Sequence, residues 1–442
     1  MRVILPGKPF HRDRFSTLWV CGTSERSRTA QRTSAVGLFL LAAASTATIS
    51  VRDPFLAWGY CLGIFLLAGY WAENMALRGE RFPVTVPGVA LAMISVWGFA
   101  QLAVGATVYR YATWDASLRT AALGATAFAA SRALAHPRLR YEFLRGFAWF
   151  GWGVSLISVI AYFTSQGRVL WVFPSPYPDA WGPFLSRNDF AGFLELSFPV
   201  ALWLSLPETP RLGRRPIPAE ARRPPPFVSA GGGPAQNGAP TPRMPLWVPA
   251  WMLAAGLASA SRAGALLLVL EATVILTMLM PRRGLALRFG ALVMVLIALA
   301  GAGTLLGRLA DRDPFLYRRE IAGSTLRMIE DHPWRGFGLG TYAHVYPAYS
   351  TFDAGAIVEH AHNYWLEWAA EGGVPLALLW LVFALAVAAP AARSVWGLGI
   401  LAALLHALVD YPFARFGLTA WNAALMGALS VAEVREVKQA VH

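Results

Sequence analysis

The sequence predicts an all-α polytopic membrane protein with about 12 transmembrane helices and one long loop, bearing short helices, between spans 9 and 10. Hydrophobic residues make up 56% of its 442 residues, whereas charged residues make up only 14%. Soluble domains carry about 25% charged residues, so a soluble enzyme is excluded. Apolar runs of about 20 residues, the length that crosses a bilayer as a helix, recur along most of the chain.

These apolar runs divide the chain into membrane and polar segments. The predicted spans start near residues 35, 54, 84, 116, 143, 189, 246, 263, 285, 372, 395 and 415. The seventh and eighth adjoin at Ser261-Arg262-Ala263-Gly264, as two short spans or one long bent element. The resulting segments are a basic tail 1–33, spans 1–6 in 34–206, a linker 207–245, spans 7–9 in 246–306, a loop 307–371, spans 10–12 in 372–432 and a C-terminal segment 433–442.

The basic residues predict the orientation of the chain in the membrane. With both termini in the cytoplasm, 24 of the 38 lysines and arginines fall in the tail, the linker and the short segments on that side. This distribution follows the positive-inside rule, so the net charge of +13 indicates no nucleic-acid partner. The long loop 307–371 carries six arginines on the opposite side, which the rule permits because long loops are translocated regardless of charge. The first span is predicted to be a retained signal anchor, since a long basic region precedes it.

The linker 207–245 is predicted to lack packed structure. It contains eleven prolines and the run Gly231-Gly232-Gly233. Its paired arginines are expected to contact anionic headgroups, which makes membrane lipid an expected partner. The two cysteines, Cys21 and Cys61, lie in the tail and in an apolar run, so no disulfide is expected. No Cys/His motif in the sequence offers a structural metal site.

The loop 307–371 concentrates arginines and aromatic residues. Its segment 315–330 has helical spacing, and His332-Pro333 ends it because the residue before proline avoids the helical region. The following Gly336-Phe337-Gly338-Leu339-Gly340 predicts a tight turn. A phosphate-binding loop is disfavoured, since no strand precedes the glycines and no Lys-Ser/Thr pair follows them.

A histidine and an asparagine stand where the next helix is expected to begin. Leu366, Ala369 and Ala370 form an apolar face at helical spacing, which places His362 and Asn363 at the helix start. Asparagine is a favoured N-cap residue, so a purely structural role for Asn363 stays open. An imidazole at the outer membrane face is well placed to act as a general base.

The motifs of this loop resemble the signature of the O-antigen ligase and polymerase family. The resemblance covers about residues 180 to 430, and the linker is long for the family. It rests on Gly336-Phe337-Gly338-Leu339-Gly340-Thr341-Tyr342, the run from His362-Asn363 to Glu371-Gly372, Arg187-Asn188-Asp189-Phe190-Ala191-Gly192, Ser261-Arg262-Ala263-Gly264, and Leu405-His406 followed by Asp410-Tyr411-Pro412-Phe413.

The resemblance implies a GT-C type glycosyltransferase in the bacterial inner membrane, with its active site facing the periplasm. Such an enzyme moves a glycan from an undecaprenyl-diphosphate-linked donor to an acceptor hydroxyl, and it uses no cofactor and no metal. A ligase uses a lipid A-core sugar as acceptor. The alternatives within the family are a polymerase, which uses another lipid-linked glycan, and a protein O-oligosaccharyltransferase.

The same resemblance assigns roles to individual residues. His362 is expected to be the general base of a single, inverting displacement, and His360 substitutes for it or holds the acceptor. Arg187, Arg262 and Arg319 are expected to bind the diphosphate, because the guanidinium fork matches phosphate oxygens. Anchoring in the headgroup layer is the alternative for these arginines, and Arg318 competes with its neighbour for the third position. Asn363 is expected to contact substrate or to cap its helix.

A transporter or flippase of lipid-linked glycans is the alternative from another functional class. Transporters favour paired broken helices and polar residues at mid-depth, whereas the polarity here concentrates in one loop. Within the spans, Glu195 and Glu271 are predicted to form buried hydrogen bonds between helices. The role of Asp410, which approaches the outer face, stays open.

Overall fold

The computed structural model describes residues 25–51, 53–82, 85–175, 180–206, 243–279, 284, 288–293, 295, 316–353, 355 and 357–441. Most of these residues are helical, and the strands found among them are β1 (Arg168–Val169) and β2 (Phe173–Pro174), which pair antiparallel. The predicted tail up to residue 24, the linker from 207 to 242 and most of the predicted ninth span lie outside the described residues.

The helices follow the predicted spans closely. Each predicted span start except the ninth falls inside a helix or within three residues of its beginning. The α-helices are α1 (Glu25–Ala47), α2 (Pro54–Leu77), α3 (Val86–Ala103), α4 (Arg110–Ala133), α5 (Pro137–Thr164), α6 (Arg187–Ser205), α7 (Trp247–Ala258), α8 (Arg262–Leu279), α9 (Leu316–Asp331), α10 (Tyr342–Val345), α11 (Tyr364–Ala392), α12 (Leu398–His406) and α13 (Phe416–Val441). Short 3₁₀ turns cover Tyr346–Ala348, Val395–Gly397 and Pro412–Ala414.

Four of these helices are long and apolar enough to cross a membrane by themselves: α2, α3, α5 and α11. Their outer surfaces expose large apolar side chains, among them Leu66 and Val382, as expected where lipid replaces water. The chain is therefore a helical membrane protein. Apart from the ninth, most of which lies outside the described residues, the other predicted spans correspond to helices that are shorter or more polar.

Polar caps and prolines determine where several helices begin. The Asp53 carboxylate accepts the Phe55 amide at 2.9 Å before α2, and Pro54 occupies the first turn, where no amide hydrogen is needed. The Ser186 hydroxyl accepts the Asn188 amide at 3.1 Å before α6. These local signals fix the first residues of α2 and α6.

The centre of the bundle is α6, which is buried along almost its whole length. It packs against α5, α7, α8 and α12. The α7–α8 pair consists of two separate helices, divided at Ala260, whose φ is +57°. This resolves the alternative of one long bent element in favour of two short helices.

The helix α11 starts before the predicted tenth span and bends where that span was expected to begin. Gly373 has φ 72° and ψ −179°, which interrupts the helix. The Val374 amide leaves the helical pattern and donates to the Pro333 carbonyl at 2.8 Å. A Cβ on Gly373 would lie 2.7 Å from that carbonyl oxygen, so a side chain is excluded by space as well as by backbone angle.

One end of the bundle, which we call the site end, gathers the segments that carry the family-like motifs. There the Tyr364 amide donates to the Ala407 carbonyl at 2.8 Å, joining the start of α11 to the turn after α12. The start of α6 reaches the same turn, because the Asn188 side chain donates to Asp410. From Arg187 at the site end, α6 runs to Ser205 at the opposite end, where the linker follows.

This geometry leads to a prediction about topology. Reporter domains fused after residue 345 are expected to report an external location, and those fused after residue 225 an internal one, because the two positions adjoin opposite ends of the bundle. Paired alkaline phosphatase and fluorescent protein fusions measure both positions. The reverse result at either position would contradict the orientation.

Candidate active site

The turn 336–340 fastens the loop after α9 to the helix bundle. Its three glycines have positive φ values between 62° and 110°. The Gly338 amide donates to the Glu371 carbonyl at 2.8 Å, and a Cβ on Gly336 would lie 2.3 Å from the same backbone. The prediction of a tight turn is confirmed, and its backbone packs against α11 as only glycine allows.

A glutamine that the sequence reasoning missed completes this fastening. The Gln101 side chain in α3 accepts the Leu339 amide at 3.0 Å and donates to the carbonyls of Arg335 and Glu371 at 2.7 and 2.9 Å. The Glu371 carboxylate in turn accepts the Tyr342 amide at 3.0 Å. The available signal was a polar side chain in an otherwise apolar span, because such a group needs buried partners.

The first of two imidazole–carboxylate pairs joins His360 and Glu367. The His360 Nδ1 lies 2.9 Å from Glu367 Oε1, and the second carboxylate oxygen accepts the Ala361 amide at 2.8 Å. The imidazole also stacks on the Tyr411 ring at a centroid distance of 4.3 Å. Both sides of His360 are thus held, and its orientation is set by the carboxylate and the phenol ring.

The second pair joins His362 and Asp410. The His362 Nδ1 lies 3.4 Å from Asp410 Oδ1, longer than an ordinary charged hydrogen bond, so the attraction is mainly electrostatic. The side chain of His362 is 32% exposed, and its ring meets the edge of Tyr411 at 5.0 Å. Its backbone φ of +50° is unusual for a residue with a side chain.

The Asp410 carboxylate contacts three side chains of the candidate site, and we call it the hub. It accepts a hydrogen bond from the Asn188 side chain and lies 3.5 Å from the Arg318 guanidinium. Burial raises the pKa of Asp410, but the interaction with His362 and the charges of His406 and Arg318 outweigh burial and lower the pKa to about 2. The carboxylate is therefore ionised at neutral pH, and its negative charge faces the His362 imidazole.

Two of the predicted phosphate-binding arginines stand at helix starts that pack together. Arg187 begins α6 and Arg262 begins α8, and both side chains are half-buried. The helices approach closely beside them, since a Cβ on Gly264 would lie 2.3 Å from the Ala191 Cβ. The structure thus places both arginines at the site end, at helix N-termini, which also attract anions.

The third predicted arginine, Arg319, is exposed on α9. Its neighbour Arg318 is half-buried and contacts Asp410. Arg318 is thus linked to His362 through Asp410, which both side chains contact. Arg319 stays a candidate on the adjoining surface. Consecutive residues of a helix point about 100° apart, so Arg318 and Arg319 face different surroundings. The sequence alone does not show which of the two faces the imidazoles.

Asn363 caps the helix that carries the motif. Its side-chain oxygen accepts the Trp365 and Leu366 amides at 3.1 and 3.2 Å. This is the structural role that the sequence analysis left open beside substrate binding. The cap fixes the backbone that carries His360 and His362, so the residue positions the site even though its oxygen is already occupied.

A further ion pair escaped the sequence reasoning. The Arg415 Nε lies 3.1 Å from Asp189 Oδ2, and the guanidinium lies 5.6 Å from the centre of the Tyr411 ring. Tyr411 is thereby held among His360, His362 and Arg415. The Asp410-Tyr411 dipeptide was part of the motif resemblance, but only the folded chain shows that the Tyr411 ring contacts both imidazoles.

Within the spans, the prediction of a buried interhelical hydrogen bond is confirmed for Glu195. Its carboxylate pairs with His406 Nδ1 at 2.8 Å between α6 and α12. The Glu271 side chain is also buried, but among the described residues no hydrogen-bond partner reaches its carboxylate. The prediction of an interhelical bond therefore holds for only one of the two glutamates.

A cavity of about 560 Å³, here called the inner cavity, opens beside the first pair. It is lined by His360 and Glu367 at one end and continues between α4, α11 and α13. Its volume lies within the range of small-molecule sites, roughly 300–1,000 Å³. Within the described parts of the chain, no group of His, Cys, Asp and Glu side chains is arranged to hold a metal ion.

Replacing Asp410 by asparagine tests the hub. We expect the variant to lose at least about 100-fold of the expected glycan-transfer activity, since the amide cannot stabilise a protonated imidazole.

The lowered pKa of Asp410 also implies that its carboxylate stabilises the fold by about 2 kcal/mol above pH 4, and this contribution is lost as the pH falls towards 2. Thermal unfolding in detergent measures the stability gap between the wild type and the variant. Activity within threefold of the wild type, or a gap unchanged at pH 2, would refute this role.

Comparison with known proteins adds one family match. Residues 248–381 match the model of the family described as O-antigen ligase. This range includes Arg262, the glycine turn and both histidines of the site. The match supports membership of the chain in the O-antigen ligase family. No curated protein matches the chain.

Proposed function

We infer from membership in the O-antigen ligase family that this membrane protein is a glycosyltransferase of the ligase or polymerase type. We further propose that it moves a glycan from undecaprenyl diphosphate to an acceptor hydroxyl of a lipid A-core sugar. The reaction takes place on the periplasmic side of the inner membrane.

One observation carries this proposal: an imidazole–carboxylate pair lies in contact with an arginine, at an end of the bundle where further arginines begin helices. The pair is His362 with Asp410, and the contacting arginine is Arg318. The helix starts carry Arg187 and Arg262. Glycan transfer from a diphosphate needs a base for the acceptor and positive charge for the leaving group, and this arrangement supplies both.

In the proposed reaction, the acceptor oxygen attacks the anomeric carbon of the donor glycan. His362 takes the hydroxyl proton as the new carbon–oxygen bond forms, and Asp410 stabilises the resulting imidazolium. The bond between the anomeric carbon and the diphosphate oxygen breaks in the same step. The electron pair leaves with undecaprenyl diphosphate, and one displacement inverts the anomeric configuration.

The arginines account for the leaving group. A diphosphate gains negative charge as it departs, and guanidinium groups bind phosphate oxygens through parallel hydrogen bonds. Arg187, Arg262 and Arg319 are the proposed ligands, with Arg318 as a fourth that also holds Asp410. This arrangement needs no divalent cation to neutralise the diphosphate.

The choice between the two imidazoles follows from their surroundings. His362 is half-exposed and faces the carboxylate that Arg318 contacts, so it lies on the proposed donor side. His360 is tied to Glu367 and faces the inner cavity. We therefore assign His362 as the base and His360 to the acceptor side.

Reconstitution provides the test of this function. Purified protein in vesicles containing EDTA receives a lipid-linked oligosaccharide and, in turn, lipid A-core, a second lipid-linked glycan and a protein acceptor. We expect glycan transfer to lipid A-core without added metal, detected as a product of increased mass. Transfer only to one of the other acceptors would instead indicate a polymerase or a protein transferase. A strict need for Mg²⁺ or Mn²⁺ would contradict the arginine site, and an unconsumed donor would contradict the transferase function.

A further inference from the structure

Two adjoining cavities lie next to the histidine pair, and their chemistry differs from that of the arginine side. The inner cavity is joined by an outer cavity of about 510 Å³. The residues that line both cavities are Asp115, Arg119, His344, Glu359, Ala414 and Phe416. Together they form a path from the surface near the end of α1 to His360.

The location of this path fits an acceptor. The inner cavity reaches His360 and Glu367, and the ring of Tyr411 contacts both His360 and His362. None of the four arginines assigned to the diphosphate lines either cavity. A molecule in the path therefore lies beside His360 and does not compete for the proposed donor site.

The walls of the inner cavity combine aromatic rings with polar and charged side chains. Tyr111, Trp368 and Phe413 contribute ring surfaces. Small-molecule sites typically combine such apolar walls with a few polar atoms that fix orientation. The less polar faces of a sugar ring can pack on these side chains while its hydroxyl groups reach the polar atoms.

The lining of the inner cavity contains a buried hydrogen-bond acceptor, the Asn422 Oδ1, without a partner among the described residues. Asn422 lines the inner cavity and is only 3% exposed. Its Oδ1 has no hydrogen-bond partner among the described residues. A buried carbonyl oxygen calls for a donor, which a ligand hydroxyl supplies and an ionised phosphate oxygen does not.

The charged side chains that line the two cavities also favour a neutral ligand over a phosphorylated one. Asp115 and Glu359 line both cavities, and Asp53 lines the outer one. The two arginines in the linings are each already paired with a carboxylate, Arg119 with Asp115 at 2.8 Å and Arg415 with Asp189 at 3.1 Å. A phosphate placed here would meet an excess of negative charge, and like charges brought together penalise binding.

We propose that these cavities form the acceptor site and that the acceptor portion they hold is an uncharged, hydroxyl-rich sugar without phosphate. This inference rests on the proposed transferase function and narrows its acceptor class. A lipid A-core remains compatible only through a sugar that carries no phosphate at the acceptor position.

Paired acceptors that differ by one phosphate test the proposal. Purified protein in nanodiscs receives a lipid-linked oligosaccharide with either dodecyl glucoside or dodecyl glucoside 6-phosphate. We expect kcat/KM to be at least about tenfold higher for the unphosphorylated glycoside. Equal use of the two glycosides, or a preference for the phosphorylated one, would overturn the proposal.

Variants locate the selectivity in the cavities. Glu359→Gln is expected to reduce the preference for the unphosphorylated glycoside several-fold, while Glu142→Gln, on an exposed residue that lines neither cavity, leaves it unchanged. Asn422→Ala is expected to raise the KM for the glycoside about 3- to 10-fold and to leave the KM for the donor unchanged. Identical behaviour of the two glutamate variants would place the acceptor elsewhere.

Direct binding separates this inference from the transferase function. Trp368 and Trp380 line the inner cavity, so their fluorescence reports occupancy without any reaction. We expect dodecyl glucoside to change this fluorescence at concentrations at least about tenfold lower than its 6-phosphate. If the donor is never consumed but this difference holds, the transferase function fails and the sugar site stands. If transfer occurs and neither glycoside binds, the cavity assignment fails alone.

Discussion

Replacing His362 by alanine should abolish glycan transfer while leaving the amount of protein in the membrane unchanged. A positioned general base contributes about 10²- to 10⁴-fold to the rate, and the variant loses the imidazole that faces Asp410. The side chain is partly exposed, so its removal leaves no buried cavity that would destabilise the fold. Transfer from a lipid-linked oligosaccharide in vesicles and immunoblotting of membranes measure the two quantities.

Two further variants make this result specific. His332→Ala removes an exposed imidazole of the same loop that packs on Phe337, and it should retain activity. His360→Ala should raise the KM for the acceptor more than it lowers kcat. Full activity of His362→Ala would refute the assignment, and loss of kcat in His360→Ala alone would transfer the role of base to His360.

The second large effect is expected at the arginines that begin α6 and α8. Arg187→Ala and Arg262→Ala should each lower kcat/KM for the lipid-linked donor about 100-fold or more, because a charge that stabilises the departing diphosphate is lost. Lysine at either position should restore only part of the activity, since an ammonium group does not reproduce the planar fork. Initial rates at varied donor concentration provide the measurement.

Arg138→Ala is the matched control for these variants. Arg138 also lies in the first turn of a helix and pairs with Glu142, but it stands at the opposite end of the bundle. This variant should behave like the wild type. Wild-type kinetics in both Arg187→Ala and Arg262→Ala would indicate that these side chains only anchor the protein among lipid headgroups.

Much of the fold follows from local sequence. Apolar runs predicted where most of the described helices lie, although α1, α4, α5 and α11 begin six to ten residues before the predicted span starts. The helix ending at Asp331 before His332-Pro333 and the tight glycine turn were also predicted from local sequence. Hydropathy is weaker evidence where a helix contains polar residues: Arg119 in α4 is accommodated by an ion pair with Asp115.

The residue types of the site could also be predicted. His360, His362 and the arginines at the helix starts stand in motifs that predict a general base and phosphate-binding groups without coordinates. The sequence could not distinguish the surroundings of the two histidines, since His360 and His362 differ by only two positions in a short loop. It also could not choose between Arg318 and Arg319, because the direction of a helix face depends on what packs against it.

By itself, the sequence determined that this protein is helical and membrane-embedded. It also showed a polar loop whose motifs resemble those of the O-antigen ligase and polymerase family. Only the tertiary structure decided that Asp410 faces His362 and Glu367 faces His360, that the Tyr411 ring contacts both imidazoles, and that Gln101 ties the glycine turn to α3. The reason is physical. Helix formation depends on neighbours a few residues away, whereas the Asn188–Asp410 and Gln101–Leu339 contacts join residues more than 200 positions apart. Such contacts form only when the packed bundle brings those helix ends together, and the electrostatic state of each site residue is set there.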